Sequence, residues 1–163
     1  MIKTDGSNYW KTKCTKYIGK RLLYCDTDSM IFVSKKGDFM PEIGTNLGDL
    51  SSEIDPSKGQ YIQTFVSAGP KNYAYKTDTG YINCCVKGIT LNHLTTLVIN
   101  FDSIREIVCK DQEKKILAKQ LKFIRDQKFN IKTDIVDKNY GFVYDKRILN
   151  NDFTTVPYGY SEA

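Results

Sequence analysis

Short apolar runs rich in β-branched and aromatic residues, separated by polar turns, dominate the chain. Leu22–Tyr24 and Met30–Val33 flank the polar stretch Cys25–Ser29, which predicts a β-hairpin with acidic residues at its tip. Three further runs have strand character: Ile62–Ser67, Asn72–Lys76 and Tyr81–Lys87. The turn signals between them, Gly69-Pro70 and Asp78–Gly80, are short enough for an antiparallel meander.

Helical spacing of apolar residues is clearest just after residue 100. The residues that share this spacing are Phe101, Ile104, Ile107 and Val108. Either Asn100 or Asp102 can act as the N-cap, so we expect a helix over 102–110. Within the Gly-, Ser- and Asp-rich segment 37–59, a short helix is expected around 49–54.

The chain after this helix has a mixed pattern. Residues 116–124 fit helical spacing and also one face of a strand, and the strand is favoured. A late strand is expected from Gly141–Tyr144 and Arg147–Leu149, and 157–163 should form a frayed tail. Because strand hairpins and a helix occur together, the sequence predicts an α+β fold with an antiparallel sheet.

Length and composition agree with a small globular protein. The chain has 163 residues, of which 40% are hydrophobic and 26% charged, enough for a core without disulfide or metal staples. No apolar run is long enough to span a membrane and the N-terminus is polar, so we expect a soluble, intracellular protein that does not associate with membranes. Five cysteines without a Cys-x-x-Cys pair, and a single histidine, argue against structural zinc.

The net charge of +5 is concentrated in one segment. Residues 110–132 carry eight basic and three acidic side chains, interleaved with apolar residues. Such a segment can lie along a phosphate backbone, which makes Lys119, Lys122 and Arg125 candidate DNA contacts. The alternative is a solvated surface that has no partner.

The two acids at the predicted hairpin tip are candidates for metal binding. Asp26 and Asp28 would project close together, and Mg²⁺ would offset their repulsion while keeping sites open for substrate phosphates. An ordinary polar turn is the alternative. A calcium loop of the EF-hand type is excluded because Ile31 stands where glycine is required. A haloacid-dehalogenase-type phosphohydrolase also places Asp-x-Asp after a strand, but the second run begins at Met30 and leaves little room for its loop.

Four segments in the same order resemble one family. Tyr24–Ser29, with the sequence Tyr-Cys-Asp-Thr-Asp-Ser, resembles motif C of family B DNA polymerases. Phe65–Tyr75, which contains Lys71-Asn72-Tyr73, is similar to the Lys-x-Tyr region of the protein-primed branch found in phages, linear plasmids and Polinton-like transposons. Val86–Ile89 together with Val98–Phe101 resembles that branch's passage from palm to thumb, and Tyr144–Arg147 resembles a thumb segment.

The resemblance implies a palm-type sheet and a two-metal site. Asp26 and Asp28, with a further aspartate from motif A, would hold Mg²⁺ or Mn²⁺. Lys71 and Tyr73 would lie beside the primer terminus, and Lys87 would contact DNA. The implied partners are a DNA primer-template, an incoming dNTP and a terminal protein that serves as primer.

The resemblance also implies a division of the chain. Residues 1–17 match nothing in the family, 18–98 correspond to part of the palm, and 99–163 correspond to a small basic thumb. The family's motif A and the lysine motif of its fingers have no counterpart here. We therefore expect a C-terminal portion of a DNA-directed DNA polymerase whose isolated chain lacks activity. A non-catalytic nucleic-acid-binding remnant is the first alternative, and the phosphohydrolase is the second.

Overall fold

The computed structural model describes residues 2–4, 16–46, 49–143, 147–149 and 155–157, and shows the mixed α+β fold that the sequence predicts. Its strands are β1 (Ile2–Thr4), β2 (Leu22–Asp26), β3 (Ser29–Phe32), β4 (Leu50–Ser52), β5 (Ile62–Ser67), β6 (Asn72–Thr77), β7 (Ile82–Val86), β8 (Ile116–Arg125), β9 (Ile131–Tyr140), β10 (Arg147–Leu149) and β11 (Thr155–Pro157). Its described helices include α1 (His93–Val98) and α2 (Phe101–Cys109), and short 3₁₀ helices lie at Gly19–Arg21 and Pro56–Lys58. No helix within the described residues has the length and apolar character needed to cross a membrane.

The chain divides into two compact units. The first comprises residues 1–64 and 76–81, and the second comprises 65–75 and 82–163. The expected partition at residues 17 and 98 concerns family resemblance and stays a prediction. Strands β5, β6 and β7 form a three-stranded sheet in chain order, so the predicted meander is confirmed.

A four-stranded sheet of order β2-β3-β1-β4 builds the first unit, and all its pairings are antiparallel. The predicted hairpin of β2 and β3 is confirmed, with a bulge between Leu22 and Tyr24. Buried Met30 and Leu50 pack together with Ile18 in the core of this unit. These contacts require β3 and β4 to turn their apolar side chains to the same side.

The prediction of a short helix around 49–54 is wrong. Residues Leu50–Ser52 form β4, which pairs with β1 through Leu50 opposite Thr4. Leu50 is 2% exposed, and in the strand its side chain packs with Met30 and Ile18 in the core of the first unit. The structure of this segment is determined by its pairing with β1, more than forty residues away in sequence, and not by its local propensity.

Helix α2 supplies the core of the second unit. It begins at Phe101, and its buried face consists of Phe101, Ile104 and Ile107. Of the two expected N-caps, Asn100 is the one used: its side chain accepts from the Ser103 backbone N–H at 3.1 Å, and its own N–H donates to Ser103 Oγ at 2.9 Å. This reciprocal capping box explains why the helix starts where it does.

A long hairpin of β8 and β9 extends from the same unit. The favoured strand over 116–124 is confirmed, and its partner β9 was not predicted. Asp126 shapes the loop, since its Oδ1 accepts from the backbone N–H groups of Lys128 at 2.8 Å and Asn130 at 2.9 Å. At the base of the hairpin, Tyr140 is 2% exposed, and burial raises the pKa of its hydroxyl, with a further contribution from the Cys84 thiol.

The C-terminal expectations are partly wrong. Gly141–Val143 forms no strand, although the Val143 N–H donates to the Ala68 carbonyl at 3.0 Å. Arg147–Leu149 is the strand β10 and pairs with β11, so Pro157 belongs to a strand and not to a frayed tail. Residues 144–146, within the segment that resembles a thumb, and residues 158–163 lie outside the described residues.

Candidate metal and nucleic-acid site

The two candidate metal ligands lie in the tightest turn of the first unit. Asp26 is the last residue of β2, and β3 begins at Ser29, so Thr27 and Asp28 alone form the loop. Two-residue hairpin loops require positive φ, and Thr27 has φ of 30°. A β-branched residue is rare in this conformation, and such backbone strain is concentrated at functional sites.

Hydrogen bonds around the turn orient the first carboxylate. The Thr27 hydroxyl donates to Asp26 Oδ1 at 3.3 Å, and the Ser29 hydroxyl donates to the Asp26 backbone carbonyl at 3.3 Å. Both aspartates are half-buried, while Thr27 is exposed. The carboxylates therefore sit at the surface, where a hydrated ion can reach them.

Hydrogen bonds from the side chain of one arginine stabilise the base of this hairpin. The Arg21 guanidinium donates to the carbonyls of Val33 and Phe39, each at 3.1 Å, and to Asp38 Oδ2 at 3.2 Å. The Val33 N–H donates in turn to the Arg21 carbonyl at 2.9 Å. Arg21 thus joins the two ends of the hairpin to the following loop and limits its movement.

The donor chemistry of the turn fits Mg²⁺ or Mn²⁺ in part. Carboxylate oxygens are the ligands these ions prefer, and Mg²⁺ commonly uses one or two carboxylates together with water and substrate phosphates. Among the described residues, no group of three or more His, Cys, Asp or Glu side chains could hold a metal ion. Asp26 and Asp28 can therefore supply two ligands, and the third carboxylate that a two-metal polymerase site needs is not beside them in the described chain.

Three of the predicted DNA contacts lie near one end of the β5-β6-β7 sheet. Lys71 lies in the turn before β6 with φ of 57° and is exposed, and Tyr73 follows on β6 with its ring centroid 5.9 Å from that of Phe65. Lys87 comes directly after β7, and its N–H donates to Asn72 Oδ1 at 3.2 Å. The side chain of Asn72 thus links the backbone of Lys87 to the strand that carries Tyr73.

Sequence reasoning did not single out Asn72. The residue is 2% exposed, and its amide oxygen accepts the hydrogen bond that fixes the start of the Lys87 turn. The sequence shows only an amide residue within a run of strand-forming residues; its burial, which requires a polar partner, is visible only in the structure.

The other three predicted contacts lie on β8 but do not share a face. Side chains alternate along a strand, so Lys119 and Arg125 point to one side and Lys122 to the other. The register places Lys119 opposite Asp137 and Lys122 opposite Asp134. A single phosphate backbone therefore cannot approach all three residues from one side of the hairpin.

The register gives the two sides of the β8-β9 hairpin different characters. One side, which we call the basic face, contains Lys122, Lys132 and Lys138 together with Asp134, and toward the base of the hairpin it is covered at the buried residues Ala118, Gln120 and Tyr140. The other side, which we call the apolar face, contains five exposed apolar residues, Leu117, Leu121, Phe123, Ile131 and Ile135, and three charged ones, Lys119, Arg125 and Asp137. Lys132 belonged to the predicted basic segment without being singled out, and Lys138 lay outside it; because β9 was not predicted, their alignment with Lys122 was not visible.

Comparisons with protein-family models, with curated proteins and with solved structures give no significant match to this chain.

Proposed function

We propose that this chain is the palm and thumb portion of a DNA-directed DNA polymerase of family B, in the protein-primed branch. The observation that carries the proposal is the turn itself: Asp26 and Asp28 flank one residue in a two-residue loop between antiparallel strands. The motif C resemblance implies this placement of the acids, and the haloacid-dehalogenase alternative needs a longer segment after its aspartates.

In the proposed site, Asp28 is the main metal ligand and Asp26 supports it. Bound metal ions would lower the pKa of the primer 3′-hydroxyl and steady the pyrophosphate leaving group. Lys71 offers positive charge to a phosphate of the primer, and Tyr73 offers an amphipathic ring beside the terminus. The basic face of the β8-β9 hairpin provides further positive charge for the duplex.

A non-catalytic nucleic-acid-binding remnant of the same ancestry is the second candidate. It is favoured by the size of the acidic cluster, since no group of three or more His, Cys, Asp or Glu side chains that could hold a metal ion is found among the described residues. The two candidates differ in what happens when substrate is added. A catalytic palm gains metal affinity with primer-template and dNTP present, because the triphosphate supplies further oxygen ligands, whereas a remnant binds DNA without this gain.

The metal role predicts a graded response to removal of each carboxylate. Asp28→Asn should raise the dissociation constant for Mn²⁺ by roughly tenfold or more, because even groups that only orient a ligand change metal affinity 10- to 100-fold. Asp26→Asn should have a smaller effect. Isothermal titration of the purified chain with Mn²⁺ measures both.

Asp102→Asn is the matched control, since it removes an exposed carboxylate from α2 without altering the turn. It should leave Mn²⁺ binding unchanged, and circular dichroism verifies that all variants are folded. Equal Mn²⁺ affinity in the Asp28→Asn variant and the unaltered chain would remove the basis for the metal site.

A further inference from the structure

The apolar face of the β8-β9 hairpin is far more exposed than is usual for such side chains. Its five members, Leu117, Leu121, Phe123, Ile131 and Ile135, are between 51% and 83% exposed. The hairpin consists of two strands only, and a two-stranded ribbon is marginally stable by itself in water. Four of the five members, Leu121, Phe123, Ile131 and Ile135, are neighbours across the two strands, and an exposed apolar patch of this kind is typical of an interaction surface.

The size of the patch suits a modest protein interface. Large apolar side chains each present roughly 150 to 200 Å² when fully uncovered, and these five are on average about two-thirds exposed, so the apolar face offers on the order of 600 Å². Two such faces in contact would bury about 1,200 Å² in total, at the lower end of the range for specific interfaces.

The charged residues of the apolar face are arranged so that two copies of this face can complement each other. Lys119 and Asp137 lie directly opposite each other across the two strands, one on β8 and the other on β9. We propose that the apolar face binds the apolar face of a second copy of this chain, with a two-fold axis running along the hairpin. That axis places β8 of one copy over β9 of the other. Each β8 residue then faces, in the other copy, the β9 residue that is its cross-strand partner within one chain.

This arrangement pairs the charged position and the aliphatic position at its centre favourably. Lys119 meets the partner's Asp137, and Leu121 meets the partner's Ile135. An axis across the strands instead sets β8 against β8, so that Lys119 meets its own counterpart, an apolar residue or Arg125, and never an acidic residue. The interface therefore has one preferred register, in which burial of aliphatic side chains is combined with two ion pairs.

A nucleic acid is a poorer occupant of the apolar face. Four of its five members are aliphatic, whereas bases stack on aromatic rings. This face has two basic side chains, Lys119 and Arg125, and Lys119 lies opposite Asp137, whereas Lys122 and Lys132 point to the other side. The inference is independent of the proposed polymerase function, since it uses only the hairpin.

Charge reversal at the two positions tests the proposal. In Lys119→Asp, position 119 of one copy repels the partner's Asp137, and in Asp137→Lys the repulsion is between two lysines. Each variant alone should have a dimer dissociation constant at least tenfold higher than the unaltered chain by sedimentation velocity. An equimolar mixture of the two variants should recover the dimer, because positions 119 and 137 are both acidic in one variant and both basic in the other.

The mixture separates the interface from the stability of the hairpin. Each variant also loses its own cross-strand pair, and mixing cannot repair that loss within a chain.

Leu121→Asp should abolish the dimer, and Lys132→Asp, on the basic face, should leave it intact. A chain that sediments as a monomer up to about 100 μM, far above the micromolar range of weak interfaces, overturns the proposal, as does a mixture that stays monomeric. Reduced DNA affinity of Leu121→Asp in a monomeric chain would assign the face to nucleic acid instead.

Discussion

Reversing two charges on the basic face should weaken the binding of duplex DNA roughly 10- to 100-fold at moderate salt. In the variant Lys122→Glu with Lys132→Glu, two contacts to phosphate are lost and two repulsive charges are introduced. Each phosphate contact contributes about −0.9 to the slope of log affinity against log salt, so the slope should become shallower by about two. Fluorescence anisotropy of a labelled duplex at several salt concentrations measures both quantities.

The matched control reverses the same number of charges on the apolar face. Lys119→Glu with Arg125→Glu has the same net charge, but its changes point away from the basic face. If the duplex lies along the basic face, the control should reduce the DNA affinity by less than the basic-face variant does. The slope of log affinity against log salt should also change less in the control. Equal losses in the two double variants would mean that net charge alone governs binding, and an affinity that does not vary with salt would exclude phosphate contacts.

The largest effect on stability is expected in α2. Ile104 is fully buried at 0% exposure in the core of the second unit. Ile104→Ala should lower the free energy of unfolding by about 3 to 4 kcal/mol, which is the usual loss when a buried aliphatic side chain leaves a cavity. Such a loss is a large fraction of the stability of a small domain. Urea unfolding followed by circular dichroism measures it.

Leu94→Ala is the control for this variant. Leu94 is 69% exposed on α1, so truncating it should change the free energy of unfolding by less than about 0.5 kcal/mol. A change below about 1 kcal/mol in Ile104→Ala would show that α2 does not form the core described here.

Elements governed by neighbouring residues could be predicted from the sequence. The β2-β3 hairpin follows from two apolar runs around a polar turn, and α2 follows from apolar spacing behind a capping Asn100. Strand β4 and its burial depend on pairing with β1, which no local pattern reveals. Strand β9 has only weak alternation and is held along its whole length by β8, so it too was missed.

The same distinction applies to the candidate site. Asp26 and Asp28 are close in sequence and joined by a tight turn, so their proximity was predictable. The division of Lys119, Lys122 and Arg125 between two faces was not, because it requires the strand assignment and the register with β9. The role of Asn72 likewise depends on the distant Lys87 meeting it across the sheet.

The most direct test of the proposed function is a residue-resolved map of Mn²⁺ binding. In the ¹⁵N-labelled chain with primer-template DNA, low Mn²⁺ should first broaden the amide signals of residues 25–29, and Asp28→Asn should abolish this. The competing acidic position is a cavity of about 140 Å³ lined by Glu42 and Asp49. Broadening that begins there, or that is unchanged in Asp28→Asn, would contradict the assignment of the turn as the metal site.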